Sequence, residues 1–239
     1  MSIADNLRRV QERIARAAEA AGRRASEVTL VGVTKYVGPA EAAALAAAGC
    51  PDLGESRPQE LWRKHEALNY LHGEPASAGG LPIHWHLIGH LQRNKVARTL
   101  PLVTLIHSVD SPRLLAALNE ARSSEGDTPP PIAVLLEVNT SQETAKHGLA
   151  PGDVEALLAT APNYPHVAVC GLMTMAALEG GEAAAARSFA TLRELRDRLQ
   201  RNTPSNVQLQ ELSMGMSGDF EIAIQEGATI VRIGSALWE

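Results

Sequence analysis

Lys35 ends the run Val28-Thr-Leu-Val-Gly-Val-Thr-Lys35, and its primary amine can condense with a carbonyl compound. Two further stretches carry groups suited to an anion. Ser213-Met-Gly-Met-Ser-Gly-Asp219 offers hydroxyls and flexible backbone ahead of a helix, and Arg232-Ile-Gly-Ser235 places a fixed positive charge two residues before a Gly-Ser pair. Glycine lets backbone N–H groups approach a phosphate, and serine adds a donor. Each stretch alone has a plainer reading, because lysines at strand ends are commonly solvated and Gly/Ser loops are commonly turns. An amine beside a phosphate cradle is a more specific pairing. It is what an aldehyde cofactor bearing a phosphate, pyridoxal 5′-phosphate, requires.

Other chemistry-bearing residues are weaker candidates. His84 and His86, two apart on one strand, share a face, but no third ligand follows at metal-site spacing, so no metal is assigned. His86 is placed where it could line the cofactor pocket, with a hydrogen-bonded structural histidine as the alternative. Met173, Met175, Met214 and Met216 could wall a ring or simply fill core space. Arg93, Lys95 and Arg98 read as a solvated helix face.

The elements that must position these residues alternate along the whole chain. The run from Val28 is mostly apolar and β-branched, as in a strand covered on both faces, and Gly32 allows close packing within it. Further strands are expected at Asp52 to Glu55, His84 to Gly89, Thr104 to Val109, Ile132 to Val138, Val167 to Met173, Gln208 to Leu212 and Thr229 to Ile233. Helices fall between them. Ser111-Pro112 starts one in N-cap and N1 positions, Glu182 to Leu199 shows a 3.6-residue period, and Ser217 is placed to cap a short helix through Gln225. An amphipathic helix with Ile3, Leu7, Val10 and Ile14 on one face precedes the first strand and stops at Gly22. Residues 71–82 and 123–131 lack a period and are rich in turn formers, so they read as loops, the first as the place of an insertion. Eight alternations predict an α/β fold of the (β/α)8 TIM-type barrel class with an extra N-terminal helix, a single domain over residues 1–239; a doubly wound sheet is the fallback. In a barrel the eighth strand closes against the first, which makes Arg232 and Lys35 neighbours at the C-terminal rim.

Composition excludes several classes. With 239 residues and 45% hydrophobic content the chain can bury a large core, and 3% aromatic content leaves no stacking platforms for single-stranded nucleic acid. A formal net charge of −5 without a long basic run argues against a phosphate-backbone partner. Cys50 and Cys170 lack metal-ligand spacing and fit a reducing compartment. The charges at Asp5, Arg8 and Arg9 break any signal-peptide core, and no run is long enough to span a membrane, so the chain reads as cytoplasmic.

Val-Gly-Val-Thr-Lys35, Leu-Gly-Glu-Ser56, Trp85-His-Leu-Ile-Gly-His-Leu-Gln-Arg-Asn-Lys95, Gly171-Leu-Met-Thr-Met175, Leu212-Ser-Met-Gly-Met-Ser217 and Val231-Arg-Ile-Gly-Ser235 together resemble the pyridoxal 5′-phosphate homeostasis protein family. The blocks follow one another from the first strand to the last. The resemblance implies a single barrel similar to the N-terminal domain of alanine racemase and a role as cofactor carrier without an established reaction. It further implies that Lys35 is the Schiff-base lysine, that Arg232 faces the pyridine nitrogen, and that Ser213, Gly234 and Ser235 hold the phosphate. Two positions depart from the family pattern: Ser56 stands where asparagine is usual, and Cys170 where arginine commonly precedes Gly-Leu-Met.

Arginine stays protonated, so facing the pyridine nitrogen it would weaken the ring as an electron sink. Racemases with this arrangement bring a second acid/base from another domain. Only Ala-Leu-Trp-Glu follows Ser235, so the expected function is reversible binding and delivery of the cofactor, with apo pyridoxal-phosphate enzymes as recipients. A small racemase or lyase is the alternative. A barrel enzyme forming an imine between Lys35 and a phosphorylated sugar is the third.

Overall fold

The computed structural model describes residues 2–71, 83–124, 129–141, 143, 147–177 and 179–239. Within them eight parallel strands close into a barrel in sequence order. The strands are Thr29–Val33 (β1), Asp52–Glu55 (β2), His84–Leu87 (β3), Leu105–Val109 (β4), Ile132–Glu137 (β5), Val167–Met173 (β6), Val207–Ser213 (β7) and Ile230–Ile233 (β8). The barrel closes through β1 on β8, with Val31 opposite Arg232 and Gly32 opposite Ile233. The expected insertion falls at residues 72–82 and part of the second loop at 125–128, outside the described residues.

Strand alternation divides the apolar side chains. Val31, Leu105, Leu135, Met173 and Ile230 meet inside the barrel. The intervening positions pack outward against the helices, as Ile106, Val134, Leu172 and Val231 do. The helices are Ile3–Ala20 (α1), Pro39–Ala47 (α2), Pro58–Leu71 (α3), Val96–Thr99 (α4), Pro112–Ser123 (α5), Val154–Ala159 (α6), Gly181–Leu199 (α7), Phe220–Gln225 (α8) and Ser235–Trp238 (α9). Ser111 caps α5 as its sequence predicts, its hydroxyl accepting from the Leu114 amide, and Pro112 opens the helix. Ser217 does not cap α8. The residue before that helix is Asp219, and the Ser217 hydroxyl instead accepts from Gly234 and Ala236 amides at the start of α9.

α1 is tied to the two helices that flank β8. Its Asn6 side chain donates to Leu237 O at 3.1 Å, and Arg13 makes a two-pronged contact with Glu221, 2.8 Å on each arm. The Arg13 guanidinium also lies 4.6 Å from the centre of the Phe220 ring. Backbone approach sets two glycines. A Cβ on Gly171 would lie 2.0 Å from Glu211 O, and one on Gly89 would lie 2.3 Å from Ser56 O. The β6–β7 register shifts between Val169 and Gly171, so Cys170 stands at the irregularity with its side chain against the inner cluster.

Candidate functional site

A cavity of about 670 Å³ opens at the C-terminal rim, where the ends of β1 and β8 meet the β7–α8 loop. This is within the usual size of a cofactor site. Lys35 continues the inward parity of Val31 and Val33 and emerges on the cavity wall, exposed, with its Nζ 5.0 Å from the centre of the neighbouring Tyr36 ring. Thr34, the residue before it, is held from outside the barrel. Lys64 on α3 donates to Thr34 O at 2.5 Å and also contacts Glu55, while the Thr34 hydroxyl donates to Glu55 Oε1 at 2.7 Å. Lys64 and Glu55 are 1% and 0% exposed, so the residue next to Lys35 is fixed by a dry ion pair.

Arg232 reaches the same cavity from β8 with only 4% of its surface exposed. Its Nη1 donates to Ser213 Oγ at 2.6 Å and its Nη2 to Thr174 O at 3.0 Å. Burial lowers its pKa to about 10, against the opposing pull of Glu137 and Asp219, so the guanidinium remains charged at neutral pH. Burial, reinforced by Asp110, also pushes the Glu137 carboxyl above its ordinary value.

Gly234 and Ser235 lie on the cavity wall beside Ser217 and Gly218, with Gly234 N–H donating to Ser217 Oγ at 3.1 Å. This corner presents hydroxyls and backbone amides. Val33, Ile88, Met175 and Met216 make the apolar wall, and Ser56 also lines the cavity. Lys35, Arg232, Gly234 and Ser235 are therefore gathered at one cavity, as strand-end placement predicts.

Two expected residues are elsewhere. His86 lies within β3, not beyond its end, and its ring points into the barrel, where it bonds His107 and Asp52. Ser213 is fully buried beneath Arg232, its hydroxyl shared between that guanidinium and His107 Nδ1, so it is not part of the cavity wall. The serine that stands on the wall beside Gly234 and Ser235 is Ser217, which the sequence pattern assigns to a helix cap. His107 was also missed, although it shares strand parity with the inward Leu105.

The His84 and His86 rings both turn to Asp52 Oδ1, at 3.2 and 3.1 Å. Among the described residues, His90, Asp110 and His147 bring donor atoms within 4.8 Å of one another at the rim, a grouping drawn from three separate segments. No helix among the described residues is long and apolar enough to cross a membrane.

A closed parallel barrel with an amine at the end of β1, a buried arginine on β8 and a Gly/Ser corner after β7 and β8 defines a class. The family described as alanine racemase, N-terminal domain, matches residues 4–239. A protein of Aquifex aeolicus named pyridoxal phosphate homeostasis protein is 40% identical over 238 residues, covering 100% of this chain and 98% of that relative. One of the same name from Escherichia coli is 34% identical over 237 residues, 99% of this chain and 95% of the relative. Among solved structures, PipY of Synechococcus elongatus with PLP bound superposes with a TM-score of 0.81 at 31% identity, covering 100% of both chains. The chain belongs to the pyridoxal phosphate homeostasis protein family.

Proposed function

We propose that this protein binds pyridoxal 5′-phosphate at the rim cavity and serves in the cytoplasm as a carrier and buffer of the cofactor, with apo pyridoxal-phosphate enzymes as recipients. One observation carries the reading. Lys35, Arg232 and the Ser217–Gly234–Ser235 corner line a single cavity, so an amine, a fixed cation and an anion cradle are presented to one small molecule. The donor set fits the group: hydroxyls and amides suit a phosphate, and apolar side chains suit the faces of a ring. When bound, the cofactor supplies an aldehyde that condenses with an amine, here Lys35, and a ring that can accept electrons.

The protein's own residues limit the chemistry open to it. Arg232 is held by hydrogen bonds to Ser213 and Thr174, so a ring nitrogen seated against it would meet a charge that disfavours its protonation. Among the described residues on the cavity wall, the titratable side chains are Lys35, Tyr36, Arg232 and Glu239. Tyr36 adjoins Lys35 in the chain and is 83% exposed, which leaves no buried second base opposite the lysine. Lys35 is exposed, so a free amine can reach it and exchange for it.

The test begins with absorbance and borohydride reduction. The expected result is a yellow protein whose reduced adduct maps to Lys35, and a Lys35→Ala protein without colour. Ser217→Ala should weaken retention of the phosphorylated cofactor about tenfold, the worth of one hydrogen bond to a charged group, and leave binding of unphosphorylated pyridoxal unchanged. Incubation of the loaded protein with single L-amino acids should release the cofactor with background racemisation, and an apo enzyme should regain activity. The match to the racemase domain favours one rival. Rapid racemisation that depends on Lys35, with no transfer to the apo enzyme, would establish the rival and overturn the carrier.

A further inference from the structure

Three rim residues that do not line the Lys35 cavity bring together the donor atoms of a metal chelate. His90 follows β3, Asp110 directly follows β4, and His147 lies in the segment between β5 and α6. One ligand atom from each lies within 4.8 Å of the other two. His90 Nδ1 stands 3.5 Å from Asp110 Oδ2, and the two imidazole rings lie side by side, centroids 5.3 Å apart and 23° from parallel.

These separations suit an ion better than a direct bond. A charge-assisted hydrogen bond between imidazole and carboxylate closes to about 2.7–2.9 Å. Ligand atoms around a tetrahedral zinc, each about 2.0–2.1 Å from it, stand roughly 3.4 Å from one another. The His90–Asp110 distance is already that of a tetrahedron edge, and small side-chain rotations of the exposed His147 close the rest. At Asp52, by contrast, two imidazoles approach one carboxylate oxygen at 3.2 and 3.1 Å, and the His86 ring is also engaged by His107.

The backbone beside each donor is fixed. Gly89, the residue before His90, accepts at its carbonyl from Ser108 Oγ at 2.6 Å, and a Cβ on it would collide with Ser56 O. Asp110 is followed by Ser111, the cap of α5. After His147, Gly148 takes a φ of +113°, and a Cβ there would lie 2.9 Å from Asn139 N. Leu149 then ties the segment to the end of β5, its amide donating to Glu137 O at 2.8 Å and its carbonyl accepting from Asn139 N at 2.9 Å. A chelate built on backbone already in place loses less freedom when the ion arrives.

Ions have a way in, because both histidines are exposed and His90 and Asp110 open on a hollow of about 430 Å³. The donor set selects among them. Two imidazoles with one carboxylate suit zinc and its transition-metal neighbours, whereas magnesium and calcium take oxygen ligands. We propose that His90, Asp110 and His147 bind one divalent ion of the zinc class. The ion ties the rim ends of β3 and β4 to the segment after β5, and with three protein ligands it keeps a fourth position for water. The site stands whatever Lys35 holds.

Calorimetric titration of the chelator-washed protein with zinc tests the site. One ion per chain should bind at micromolar zinc. His90→Ala, Asp110→Asn and His147→Ala should each weaken it about a hundredfold or more, while His84→Ala, at the histidine beside Asp52, should not. Cobalt(II) in place of zinc should give the intense visible bands of a four-coordinate ion, and excess magnesium should not displace it. Zinc should also raise the melting temperature of the native protein and leave that of Asp110→Asn unchanged. The metal-free melts show at the same time that the variants fold. Zinc binding that survives the three substitutions, that is lost with His84→Ala, or that appears only above micromolar metal would overturn the site. So would the pale bands of six-coordinate cobalt in the native protein, a result that depends on no variant.

Discussion

Lys64 shows how a charged side chain far from any ligand can govern one that meets it. Its ammonium is buried between α3 and β2, bonded to Thr34 O and paired with Glu55, whose Oε2 has no hydrogen-bond partner among the described residues. Removing one partner strands the other charge in a dry site. Lys64→Met should therefore cost about 3–5 kcal/mol, and Lys64→Met with Glu55→Leu should recover most of it. Urea unfolding of the two variants measures both. Lys35 and Arg232 were legible because strand ends on a barrel announce themselves in sequence. Lys64 occupies a stripe position, with Leu61 and Leu68 three residues before and four after it, but helical period alone does not say that a lysine there has a carboxylate waiting on the strand below. The sequence assigns Ser217 to a cap because a serine three residues before a helix resembles one, and only the fold brings α9 within its reach.

Among the described glycines, Gly171 on β6 leaves the least room for a side chain, because the β7 backbone at Glu211 crosses where its Cβ would stand. Gly171→Ala would press a methyl into Glu211 O and force the strands apart, so it should destabilise by several kcal/mol. Gly152→Ala, in the turn before α6 with open space around it, should change the melting temperature little. Thermal melts of the pair separate backbone approach from a general intolerance of alanine. Most of the strand boundaries agree with the pattern of β-branched runs to within a residue or two, since strands covered by helices are written as unbroken apolar segments. The register shift at Cys170 had no such signature. A bulge is a property of two strands, and one strand's sequence does not contain it.

At the scale of the whole molecule, the polar line through the barrel makes stability depend on pH. His107 is held well below its usual pKa by burial and by the charges of His86 and Arg232, while in the unfolded chain it titrates near about 6.5. Between those values the unfolded chain binds a proton that the native one does not. This contribution is therefore fully present above about pH 6.5 and declines as pH falls, by up to about 1.4 kcal/mol per pH unit. His107→Gln should flatten the acid limb of the stability curve by about one proton equivalent, read from urea midpoints across that range. Arg232, Ser213, His107, His86 and Asp52 themselves stood in the sequence, but their alignment did not, because β8, β7, β4, β3 and β2 contribute one member each and only barrel closure brings them together.

The C-terminal α9 has an optical consequence. Trp238 donates its indole N–H to Val33 O at 2.9 Å and stands on the wall of the Lys35 cavity. Of the three tryptophans, Trp62 and Trp85 are not on that wall, Trp62 lying under Arg98 and Trp85 being buried in the outer core. A chromophore absorbing in the near ultraviolet and seated in the cavity would drain the excited state of Trp238 most strongly, through dipole coupling that falls steeply with separation. Loading should therefore dim the intrinsic emission, and Trp238→Phe should remove most of that dimming while leaving the colour. The protein would then report its own occupancy in real time, without a label, while a recipient enzyme empties it.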